Sequence, residues 1–109
     1  MTRRITLISD DSSFENLVRT TALTLTKLNY QVDIFREIKK DIDLVVLDFD
    51  NPENINILKN IRKNPSLKNK KTVGVATALT DKKIFFESGC DSVMSKKEFT
   101  AAINNILMF

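Results

Sequence analysis

Apolar residues along this chain follow two rhythms. Some form short continuous runs, as in Ile5-Thr6-Leu7-Ile8, Leu44-Val45-Val46-Leu47 and Thr72-Val73-Gly74-Val75-Ala76. Such runs mark parallel strands buried on both faces. Others recur with a period of about 3.6 residues, as Phe14, Leu17, Val18, Thr21, Leu25 and Leu28 do. That spacing gives a helix one apolar face. Strands are predicted at about 4–9, 31–35, 44–47, 72–76 and 92–95. The first helix should begin at Ser12-Ser13-Phe14-Glu15, which has the S-x-x-E form of a capping box. A second should follow Pro52, with Ile57, Leu58 and Ile61 on one side, and stop near Asn64-Pro65. A short third spans 81–88 before Gly89, a natural helix stop. Phe99, Ala102, Ile103, Ile106 and Leu107 predict one final amphipathic helix. Arg36 to Asp43 is too short for a full helix between the second and third strands. Strands alternating with helices predict a doubly wound α/β fold: a parallel sheet, right-handed crossovers and helices on both faces.

Length and composition narrow the class. A chain of 109 residues suffices for one core and not for two, so a single unit over 1–109 is expected. Hydrophobic content of 42% and charged content of 28% suit a globular protein. A formal charge of +3 is too mild to point to nucleic acid. No long apolar segment follows Met1-Thr2-Arg3-Arg4, so neither a signal peptide, a twin-arginine leader nor a membrane span is expected. Cys90 is the only cysteine and the chain has no histidine to activate it. A buried, inert thiol in a reducing cytoplasm is the expectation.

The candidate chemistry is acidic. Asp10 and Asp11 close the first apolar run and Asp48 closes the third strand. In open α/β sheets ligands collect beyond the carboxyl ends of the strands. Carboxylates gathered there form a pocket of like charge, which is costly unless a cation joins it. One of Asp10 and Asp11 is also a natural cap for the first helix.

In order along the chain, these residues resemble the receiver domain of two-component response regulators. The resemblance covers essentially the whole chain. It rests on Asp10-Asp11 after the first strand, Asp48 with Pro52 four residues on, Thr77-Ala78 after the fourth strand, and Lys96 after the fifth, preceded by Gly89 at the usual spacing. It implies a flavodoxin-like five-stranded sheet in the order 2-1-3-4-5, from which this chain departs in its short 36–43 connection, leaving the helix between strands 2 and 3 reduced or missing. It implies Asp48 as phosphoacceptor, taking a phosphoryl group from a histidine kinase or phosphotransfer partner. Mg2+ would be held by Asp10, Asp11, Asp48 and the backbone carbonyl of Asp50. Lys96 and the Thr77 hydroxyl would bind phosphoryl oxygens. Thr80 competes with Thr77 for its role, and Lys97 with Lys96. The position of Asp50 is one that tunes dephosphorylation in the family. The same resemblance implies a stand-alone cytoplasmic signalling module, monomeric or weakly dimeric, acting on an unknown downstream protein, without nucleic acid or membrane binding and without turnover of its own.

The chain also departs from the family. The glycine after the Pro52 region is missing, Lys97 replaces the usual proline, and Val93 stands where an aromatic residue often reports phosphorylation. Phe85 and Phe86 are adjacent, so one of them can face outward toward a partner, beside Lys82, Lys83 and Lys97. A first rival is a receiver-like interaction module that signals without phosphorylation. A second is a haloacid-dehalogenase-type phosphatase, from the D-x-D of Asp48-Phe49-Asp50 after an apolar strand. A nucleotide-binding role lacks a glycine-rich phosphate loop.

Overall fold

A computed structural model describes residues 2–79 and 81–108. The strands are β1 (Arg3–Ile8), β2 (Val32–Phe35), β3 (Leu44–Asp48), β4 (Lys71–Ala76) and β5 (Ser92–Ser95). The helices are α1 (Ser12–Lys27), α2 (Asn54–Lys63), α3 (Lys83–Glu87), α4 (Lys96–Ala101) and α5 (Ile103–Met108). All five strands pair in parallel in the order β2-β1-β3-β4-β5. This is the flavodoxin-like doubly wound arrangement. The chain passes from β2 to β3 with no helix between them.

Alternate residues of the central strands feed two cores, because successive side chains leave a strand on opposite faces. On one face Ile5, Leu7, Val46, Val73 and Val75 pack against Phe14, Val18, Ala22 and Leu25 of α1 and Phe99, Ile103 and Leu107 of α4 and α5. On the other, Val45 and Leu47 pack with Leu58 and Ile61 of α2, and with Phe49, Cys90 and Val93. The two edge strands, β2 and β5, are only four residues long each.

Where the missing helix would lie, residues 36–43 fold onto the sheet. Ile42 fills the second core, the buried Thr6 hydroxyl donates to the Glu37 carbonyl at 2.7 Å, and the Arg4 amide donates to Asp43 at 2.8 Å. One apolar anchor and a few polar ties thus cover ground that a helix would cover with a full face.

Two local expectations shift. The cap of α1 is Asp11, one of the acidic pair expected to supply it, whose carboxylate accepts from the Phe14 amide at 3.1 Å, and the Ser12 capping box does not form. Glu15 is drawn away from any capping box by Arg19 and Arg36. A true capping box forms at α4, between Ser95 and Glu98. The single final helix is instead two, α4 and α5, meeting at Ala102.

Gly74 has a steric role. A Cβ there would lie 2.2 Å from the Phe49 ring. The ring packs against β4 at this glycine and stacks on Phe85 of α3, with centroids 4.4 Å apart. Phe85 is the inward member of its pair, and Phe86 is the outward one at 47% exposure. Val93 lies in the core and offers no aromatic edge.

Candidate functional site

The carboxyl ends of β1, β3, β4 and β5 bring Asp11, Asp48, Thr77 and Lys96 together. Asp48 is the last residue of β3 and only 2% exposed. A buried charge needs partners, and it has them on both oxygens. Oδ1 accepts the Asp50 amide at 3.0 Å. Oδ2 accepts the Ser9 hydroxyl at 2.6 Å and lies 2.8 Å from the Lys96 amine. The Asn54 side chain, buried in the first turn of α2, donates to the Asp48 carbonyl at 2.7 Å and ties that helix to the strand end.

Lys96 is the hub. It opens α4 directly after β5, so its amine projects over the strand ends. Besides Asp48, the amine meets Asp11 Oδ2 at 3.0 Å and Asp50 Oδ2 at 2.7 Å. Its centre lies 5.4 Å from that of the Phe14 ring below. Burial works against its charge, but hydrogen bonds to Asp48, Asp50 and Asp11 outweigh this and hold its pKa above the ordinary lysine value. Lys97, the alternative, is exposed and outside the cluster.

Asp50 bridges the site through its side chain. Its Oδ1 accepts the Thr77 amide at 2.9 Å, and its Oδ2 accepts the Thr77 hydroxyl at 2.6 Å. Burial raises the Asp50 pKa, yet the Lys96 and Thr77 hydrogen bonds prevail and lower it to about 2. Asp11 is held below the usual carboxylate range first by the Phe14 amide and then by Lys96. Asp10 stands at the rim, exposed, its carboxylate accepting from the Asn51 amide group at 3.1 Å.

Asp10, Asp11, Asp48 and Asp50 thus share one end of the sheet with a single ammonium. That surplus of hard oxygen donors suits a magnesium-type cation. Among the described residues, however, no three metal-ligating side chains form a ready-made cage. Three of the carboxylates turn to Lys96 instead. The donor chemistry fits the ion.

Sequence reading missed Ser9, Asn51 and Asn54. Each is a short polar residue next to an acidic one or in a first helical turn, and only the fold shows which acid it serves. Thr80 lies outside the described residues. Cys90 is buried, its thiol pushed up in pKa by that burial, and it is far from this chemistry in role: it donates to the Ser92 carbonyl at 3.1 Å.

No sequence-family model matches the chain, and no curated protein matches it. Solved structures do. A response regulator from Hahella chejuensis aligns at a TM-score of 0.77 with 20% identity, over 97% of this chain and 92% of that one. The phosphorylated cyanobacterial phytochrome response regulator RcpA aligns at 0.73 with 19% identity, over 99% and 90%. The Mn(2+)-bound form of response regulator Rcp1 aligns at 0.73 with 19% identity, over 98% and 93%. The shared property is the fold: this chain has the architecture of response-regulator receivers.

Proposed function

We propose that the chain is a phosphoacceptor receiver unit over residues 1–109, in which Asp48 takes a phosphoryl group from a phosphohistidine on a kinase or phosphotransfer protein. The observation that carries this reading is the meeting of Asp48, Asp11, Asp50, Thr77 and Lys96 at one end of a receiver-type sheet. An Asp48 oxygen would attack phosphorus, forming an acyl-phosphate O–P bond. The P–N bond of the donor breaks, and its electron pair leaves on the imidazole, which takes up a proton. A carboxylate serves as such a covalent nucleophile. A magnesium ion, when bound by Asp10, Asp11, Asp48 and the Asp50 carbonyl, supplies charge neutralisation for the transferring group.

The chain's own residues do the rest. Ser9 and the Asp50 amide orient the Asp48 carboxylate. Asn54 fixes the strand end that carries it. Lys96 and Thr77 are the donors for phosphoryl oxygens, and Ala78 leaves the approach open.

Partner contact falls on α3, where Ile84 and Phe86 are exposed beside Lys82 and Lys83. The stack of Phe85 on Phe49, the residue after Asp48, joins that face to the site in place of the absent aromatic at Val93. No helix among the described residues is long and apolar enough to cross a membrane. A cytoplasmic signalling role, without turnover of substrate, completes the proposal.

Incubation with Mg2+ and a small phosphodonor, followed by intact-mass measurement, tests it. One added phosphoryl group, lost in Asp48→Asn, is the expected result. Persistent absence of that mass would favour a phosphorylation-independent interaction module, a reading supported by the near-complete burial of Asp48.

A further inference from the structure

We propose that the Asp50 carboxylate is a built-in stand-in for the phosphoryl group: it occupies the phosphoryl donors in the unmodified protein and must leave them when Asp48 is modified. This deepens the phosphoacceptor reading and rests on it.

An ammonium has three N–H donors. The Lys96 amine has three carboxylate neighbours, at 3.0 Å (Asp11), 2.8 Å (Asp48) and 2.7 Å (Asp50). It hydrogen-bonds Asp11 and Asp50 and pairs with Asp48, so a phosphoryl oxygen arriving there competes with carboxylates for its protons. Thr77 is equally committed, since its amide and its hydroxyl both go to Asp50.

The three carboxylates differ in what releasing them costs. Asp48 is the acceptor itself and is buried at the strand end. Asp11 also caps α1 through its other oxygen, so moving it loosens a helix start. The Asp50 side chain is as exposed as that of Asp11, at 38%, but it caps no helix and sits on the turn after β3. Swinging it into water frees three donors at once: the Thr77 amide, the Thr77 hydroxyl and one Lys96 proton. Those hydrogen bonds are charge-assisted, so Asp50 is a real competitor for an incoming anion.

Beryllofluoride with Mg2+, an acyl-phosphate analogue, is the probe. Asp50→Ala should bind it at least tenfold more tightly than the unaltered protein, and Asp48→Asn should not bind it. The gain should persist in 1 M salt, where the Debye length is about 3 Å; a gain that vanishes there is a through-space charge effect and overturns the proposal. Without metal or analogue, Asp50→Ala should also speed hydrogen exchange at the Thr77 amide. Unchanged exchange overturns the proposal. Equal affinity in both proteins overturns it too while leaving Asp48 as phosphoacceptor. Binding by neither protein sinks the phosphoacceptor reading, and the displacement proposal with it.

Discussion

At the scale of single residues, the strand-end cluster is a contest between burial and hydrogen bonding. Asp50 shows the outcome, with its pKa taken from the ordinary 3.8 down to about 2: burial pushes it up, and Lys96 and Thr77 pull it further down. Its folded-state pKa is therefore below that of the unfolded chain. The stability it contributes is complete above the ordinary value and is lost as pH falls through the window toward about 2. Carbon-13 titration of the Asp50 carboxyl should show the low value, and Lys96→Ala should raise it. Asp11 should respond less to the same substitution, because the Phe14 amide is its chief partner. Equal upward shifts at both residues would contradict this ordering. Asp48 is legible from the residues alone, because it closes an apolar strand, whereas Thr77 and Lys96 are singled out only by the resemblance; all three lie at the end of a strand or one position past it. The side chain of Asp50 was not, because sequence offers no means of choosing between its carbonyl and its carboxylate.

Among the elements, the strands were easiest to read, since a continuous apolar run has few alternatives in a chain this rich in lysine. Every strand lies within a residue or so of its predicted place, and β5 at its predicted bounds. Helix ends were harder. Ser12 and Glu15 have the spacing of a capping box, but Arg36 reaches Glu15 across 21 positions of sequence, at 2.6 Å, and such a tertiary partner leaves no local trace. The break at Ala102 likewise lies inside an uninterrupted apolar pattern. A glycine within a strand marks a close approach, and at Gly74 the Phe49 ring is what packs there. Gly74→Ala should therefore destabilise the protein by roughly 1–3 kcal/mol, the usual cost of overfilling a packed interior. A urea midpoint unchanged at constant slope would show that the ring yields freely.

Across the whole molecule, one side chain ties the β4–β5 end together. The Arg62 guanidinium donates to the carbonyls of Gly89 (2.8 Å), Lys68 (2.9 Å) and Lys70 (2.8 Å), to the Thr72 hydroxyl (2.9 Å) and to Asp91 (3.0 Å). Its stem lies against Gly89, where φ is +107° and a Cβ would come within 2.8 Å. Arg62→Met keeps the stem and strands those acceptors, so a loss of about 1.5–3 kcal/mol is expected in chemical denaturation. Arg62→Lys should recover little of it, because an ammonium cannot reproduce the planar fork. Recovery by lysine would mean that charge, and not geometry, matters there. The brevity of β2 and β5 has a different outcome. The longest strands sit inside the sheet and the shortest at its borders, so few main-chain amides and carbonyls are left in a row for a neighbouring molecule to zip onto. A protein built this way can be concentrated with little tendency to polymerise through its rims, which keeps its contacts with other molecules a matter of side chains.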